Sequence, residues 1–179
     1  MPSSRSFARA AAVASALLLL VGCTPDTPPS PTPTPAFASE EEAFAAAEAT
    51  YRAYTDALNQ VDFADTDTFE DVYAQLSGSA AESTREAFSQ FHADHFRTSG
   101  TTRFDSFRPV STDLTSGKVH ANVCSDVSDV EVLDASGASV VSEDRPPRQP
   151  LDVTFATRPD TTTITISKLE AAEAFTCAH

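Results

Sequence analysis

Positive charge is scarce in this chain of 179 residues: 12 Lys and Arg face 26 Asp and Glu, a formal net charge of −14. Such a surface repels polyanions, which excludes nucleic acid and anionic lipid headgroups as partners held by a basic patch. Cysteine is limited to three residues and glycine to five. No Cys or His stands at ligand spacing from a further pair of ligands, so no metal framework is expected. There is no glycine-rich phosphate loop, serine elbow, HExxH helix or EF-hand loop, and hence no sign of the chemistry those motifs serve. No cofactor is implied. Long apolar runs are missing too. The run from Ala10 to Val21 falls short of the about 20 residues that a membrane-spanning helix needs.

That run is nonetheless informative. Arg5 and Arg9 precede it and Gly22 follows it, immediately before Cys23, in the three-part layout of a secretory signal. Leu20-Val21-Gly22-Cys23 resembles the lipobox of bacterial lipoproteins. The resemblance implies cleavage before Cys23, a diacylglyceryl group on its sulfur, and residence on the extracytoplasmic face of the cell membrane, with the membrane as partner through that lipid. Two acyl chains anchor stably where one binds reversibly. Without Arg5 and Arg9 the remaining chain has 10 basic residues against 26 acidic ones, a net charge of −16.

The expected organisation is a signal peptide over 1–22, the lipidated cysteine with a Pro/Thr-rich linker over 23–38, and a single domain over 39–179. Six prolines between Thr24 and Ala38 favour extended polyproline II, a spacer of about 45 Å. With Cys23 committed to lipid, Cys124 and Cys177 remain as an even pair in an exported domain. They read as one disulfide.

Ser39 with Glu40, Glu41 and Glu42 forms a capping box, and the stripe Phe44, Ala47, Tyr51, Tyr54, Leu58, Val61 predicts a helix over 40–60. Asp67 with Glu70 predicts a second cap, before a short helix bearing Phe69, Val72, Tyr73 and Leu76 and ended by Gly78. Ser79 with Glu82 predicts a third, before a helix bearing Phe88, Phe91, His92, His95 and Phe96 and stopped at Gly100. Strands are expected at 101–110, 118–127, 129–133, 151–156 and 161–169. The prolines between Ser142 and Pro150 should keep that segment out of a central strand. Helices followed by strands indicate an α+β class, with three N-terminal helices packed on a curved antiparallel sheet of four to six strands. This order, with the Tyr51, Tyr54, Leu58 helix leading into Asp62, resembles the nuclear-transport-factor-two-like cone fold, which includes ketosteroid isomerase-like and polyketide cyclase-like proteins. Small actinobacterial lipoproteins resemble it as well. The likeness covers about residues 40–169 and matches no catalytic motif.

Four sets of residues are candidates for function. His92 and His95, three apart on one helix, could hold a metal or shuttle protons, but they fall beside the Phe88, Phe91, Phe96 stripe and read first as core or rim residues. Asp62, Asp65, Asp67, Glu70 and Asp71 read as caps and a solvated turn. A pocket between sheet and first helix could be lined by Tyr51, Tyr54, Tyr73, His92, His95 and Arg103, with Asp105 nearby. Arg145-Pro146-Pro147-Arg148-Gln149-Pro150 is a local positive spot that could meet an envelope partner. These features favour a non-catalytic module binding a small apolar ligand or another envelope protein. The alternative is a cone-fold isomerase-like or cyclase-like enzyme acting on a small apolar substrate.

Overall fold

A computed structural model describes residues 35–158 and 163–177. The signal peptide, Cys23 and most of the linker lie outside the described residues. Those described belong to one unit, Pro33–His179. It is α+β, with helices α1 (Glu40–Leu58), α2 (Glu70–Ala74) and α3 (Gly78–Ala93), then strands β1 (Arg97–Ser99), β2 (Arg103–Asp113), β3 (Lys118–Asp126), β4 (Glu131–Leu133), β5 (Arg148–Thr157) and β6 (Ile164–Ala171). A 3-10 turn at Thr66–Phe69 leads into α2.

The first helix starts where the capping box places it. The Ser39 hydroxyl accepts from the Glu42 N–H, and the Glu42 carboxylate reaches back to the Ala38 N–H at 2.7 Å. Phe37, assigned by sequence to the linker, is buried in the core, so the packed domain begins two residues earlier than expected. The buried face of α1 is Ala43, Ala47, Thr50, Tyr51 and Thr55, with Phe44, Tyr54 and Leu58 on its flank; the helix ends at Leu58, two residues short of expectation, and Val61 packs against the core from beyond its end. Thr50 and Thr55 tolerate burial because their hydroxyls donate to the carbonyls of Ala46 and Tyr51, one turn back.

Three boundaries differ from expectation. Asp65, not Asp67, caps the 3-10 turn, its side chain accepting from the Asp67 N–H. Gly78 opens α3 instead of ending α2, and Ser79 lies inside the helix. The third helix ends at Ala93, well before Gly100, because His95 takes a left-handed φ of 56°. The Phe96 N–H donates to Phe91 O and the His95 N–H to His92 O, and the Phe91 and Phe96 rings stack at 5.3 Å. This is a Schellman cap with its apolar clasp, built on histidine where glycine is usual.

The main sheet is antiparallel in the order β2-β3-β5-β6, and β1 pairs with β4 in a second, two-stranded sheet. Register shifts at Phe104/Ser106, Pro109/Ser111 and Thr154/Phe155 bend the main sheet around α1. Val119, Ala121, Val123, Val153, Phe155 and Ile166 are fully buried on its inner face. The β5 strand begins at Arg148, inside the proline segment, and it is central. The Pro150 carbonyl accepts from the Ala172 N–H, so the proline's missing N–H faces the side where β6 has ended, and the ladder with β3 loses nothing. The loop after α2 covers part of the outer edge of β6, through Ile166 N–H to Gln75 O and Ser77 N–H to Ile166 O.

Cys124 alternates with the inward Val123 and Ser125, which puts its sulfur on the outer face. It is bonded there to Cys177, with a Cα–Cα distance of 5.7 Å. The C-terminal segment therefore crosses the outer face from β6 to β3, and the Arg108 guanidinium of β2 lies over the Phe175 ring.

Candidate functional site

The space between α1 and the sheet, where a cone-fold pocket was expected, is filled. Tyr51 meets the Phe104 ring edge-on at 5.1 Å and the Tyr54 ring at 5.9 Å, and its hydroxyl is hydrogen-bonded to Ser125. Burial raises the Tyr51 hydroxyl pKa well above the ordinary tyrosine value, as does proximity to Tyr54, with the Ser125 bond opposing in part. Burial raises Tyr54 as well. Among the described residues the buried polar side chains are Thr50, Thr55, Ser125 and Thr165, none of them an acid or a base at neutral pH.

The other expected pocket residues lie apart from these two. Tyr73 and His92 border a surface groove with Asp67, Glu70 and Arg85, where the Arg85 guanidinium sits 3.9 Å from the centre of the Tyr73 ring. Burial raises the Tyr73 pKa, and the Arg85 charge opposes it. His95 lies in a second groove with Phe63, Phe96 and Arg97. Arg103, in a third, is ion-paired to Asp129 at 2.7 Å on the surface. The positive segment is engaged rather than free. Arg145 donates to the carbonyls of Val127 and Val130, and Arg148 pairs with Asp105.

Sequence reasoning missed a cavity of about 240 Å³ where the end of α1 meets α3 and β1. Its apolar walls are Leu58, Val61, Phe63, Phe88, Phe91 and Val130, and its polar rim is Asn59, Thr98, Ser99 and Thr102. The rim is pinned from several sides. Asn59 holds Thr102 at both ends of its amide, donating to Thr102 O at 2.9 Å and accepting from Thr102 N–H at 2.8 Å. Gly100, at φ 86°, passes so close to Asp129 that a Cβ would stand 1.8 Å from that carbonyl oxygen. Arg145 fixes the carbonyl of Val130, and the Phe91–Phe96 clasp sets the α3 wall.

His92, expected as a ligand or core residue, has a different part. Its Nδ1 lies 2.7 Å from the Phe63 carbonyl oxygen. A carbonyl only accepts, so Nδ1 carries the proton, and the ring holds the segment that forms the cavity floor. The only early trace of this cavity was the apolar character of Leu58, Val61, Phe88 and Phe91. Their convergence depends on how the loop after α1 folds back, which no periodicity reports.

This arrangement can bury an apolar group and orient it against hydroxyls and backbone at the rim. No three His, Cys, Asp or Glu residues cluster as metal ligands among the described residues, and no helix among them is long and apolar enough to cross a membrane. No protein-family model and no curated protein matches the chain.

Proposed function

We propose that this protein is a membrane-anchored, extracytoplasmic lipoprotein whose folded domain is a non-catalytic binding module, taking a small apolar group into the cavity bounded by Leu58, Phe63, Phe88 and Phe91. The cavity carries this reading. It combines apolar walls with a few fixed polar groups, the usual composition of a recognition site. Its volume of about 240 Å³ lies below the roughly 300 Å³ at which sites for larger ligands begin, so the group is a single ring or one side chain. The lipobox-like Leu20-Val21-Gly22-Cys23 supports the anchor, and the order of three helices before a bent antiparallel sheet supports the likeness to the nuclear-transport-factor-two-like layout. The isomerase or cyclase alternative calls for an acid or base facing the substrate, and the polar side chains of this cavity are Asn, Thr and Ser.

Two experiments test the proposal. Indole titrated into the purified protein should bind saturably, and Val61→Trp, which fills the cavity, should weaken that binding at least tenfold. Binding untouched by Val61→Trp would place the site elsewhere. Cys23→Ala should move the protein from the membrane to the soluble fraction, and unchanged fractionation would refute the anchor.

A further inference from the structure

The cavity has a neighbour that a small-molecule site does not require, the open edge of β1. The β1 residues pair with β4 as Arg97 with Leu133, Thr98 with Val132 and Ser99 with Glu131. On its far side β4 is already occupied, because the Val140 N–H donates to Val132 O at 2.9 Å. The backbone groups of Val132 therefore point away from β1, which makes Thr98 and Val132 a non-hydrogen-bonded pair. It follows that the N–H and C=O of Thr98 also point outward, and among the described residues neither has a hydrogen-bond partner. Thr98 is exposed, and it lines the cavity. An unpaired donor and acceptor beside an apolar hole is the arrangement by which a sheet edge accepts another strand.

We infer that the natural occupant is an extended peptide segment of a partner protein, adding to β1 at Thr98 and placing one apolar side chain in the cavity. This rests on the cavity being the binding site, as proposed above. The surroundings specify the peptide's charge. Asp62 lies between the lining residues Val61 and Phe63, Glu131 follows the lining residue Val130, and Asp56 borders the adjoining groove that shares Asn59 and Thr102; all three are exposed, and none forms an ion pair among the described residues. Of the nearby cations, Arg52 is paired with Glu48, Arg103 is held by Asp129, and Arg97 lines the groove of His95 and Phe96. The segment is therefore an apolar residue flanked by Lys or Arg, and salt weakens its binding.

The test uses the purified full chain and a library of acetylated, amidated heptapeptides. The central residue is Val, Ile, Leu, Phe, Tyr or Trp, and the flanks are either Lys or Glu. Lys-flanked members should bind at least tenfold more tightly than their Glu-flanked counterparts, protecting the Thr98 amide from hydrogen exchange. N-methylation of alternate peptide nitrogens should abolish binding in one phase and leave it intact in the other. Thr98→Pro removes the outward N–H without disturbing the β4 pairing and should lose the peptide. The N-methylated peptides read the same bond on the unaltered protein, should that variant misfold. Indole binding with no peptide binding, or peptide binding indifferent to N-methylation phase, overturns the strand addition and leaves the cavity proposal standing. Loss of both indole and peptide binding overturns the two together.

Discussion

His95 and Gly100 stand five residues apart and divide a task that glycine usually performs alone. His95 holds the left-handed conformation that ends α3, at a cost of about 1 kcal/mol for a residue with a Cβ. His95→Gly should therefore stabilise the protein by about 1 kcal/mol in denaturant unfolding, and a loss of stability would show that the imidazole makes a compensating contact. Gly100 is needed for close approach, since any side chain meets the Asp129 backbone. Gly100→Ala should cost about 3 kcal/mol by the same measurement, combining backbone strain with a displaced rim. In the sequence Gly100 looks like the helix stop, because the apolar stripe runs on through Phe96 and glycine is the commoner terminator. In a continuing helix Phe96 would lie four residues on from His92, beside the stripe, so the residues alone do not distinguish that helix from the Schellman clasp of Phe91 and Phe96. The cysteines were legible for the opposite reason. With Cys23 read as a lipidation site, Cys124 and Cys177 are the one pair left, and the structure joins them.

At the scale of elements, the first helix was recognisable from its cap and its apolar repeat, but its phase was slightly misjudged. Periodicity counts apolar residues, whereas the core also accepts Thr50 and Thr55 once their hydroxyls bond within the helix. The two tyrosines separate as a result. Tyr51 is 2% exposed and Tyr54 only half-buried, so Tyr51→Ala should cost about 4 kcal/mol and Tyr54→Ala distinctly less. Equal losses in thermal unfolding would mean that the helix face is wrongly phased. The early start of β5 was hidden for a related reason. Pro150 excludes a ladder bond only on the side its nitrogen faces, and that side is known only once the position where β6 ends is known. The turns carry a pH signature. Asp113, Asp126 and Asp134 each accept backbone and serine hydrogen bonds, which hold their carboxyls below the usual range. A carboxyl depressed in the folded state adds stability that is full above its unfolded pKa of about 3.9 and is lost as pH falls through the folded value. Asp134→Asn should therefore flatten the acid limb of a stability profile below about pH 4 and leave its neutral region nearly unchanged.

On the scale of the whole molecule, two devices hold a domain that carries a large negative charge. One is the core between α1 and the inner sheet face. The other is the Cys124–Cys177 bond, which secures the C-terminal segment to the outer face and closes a loop of 53 residues' separation. Cys177→Ser should cost about 4 kcal/mol on the chain-entropy account, and a much smaller loss would mean that the segment is held by its Ala172 and Phe175 contacts. With α1 and the sheet packed against each other, the open apolar volume lies at the end of α1, bounded by pieces from four distant stretches of sequence. Whether this volume binds an apolar group is read from a titration of the isotope-labelled protein with indole, followed by amide and side-chain NMR. Saturable shifts at Val61, Phe91, Thr98 and Gly100 are predicted; no saturable shift, or shifts gathered instead around Tyr73 and Arg85, would contradict it.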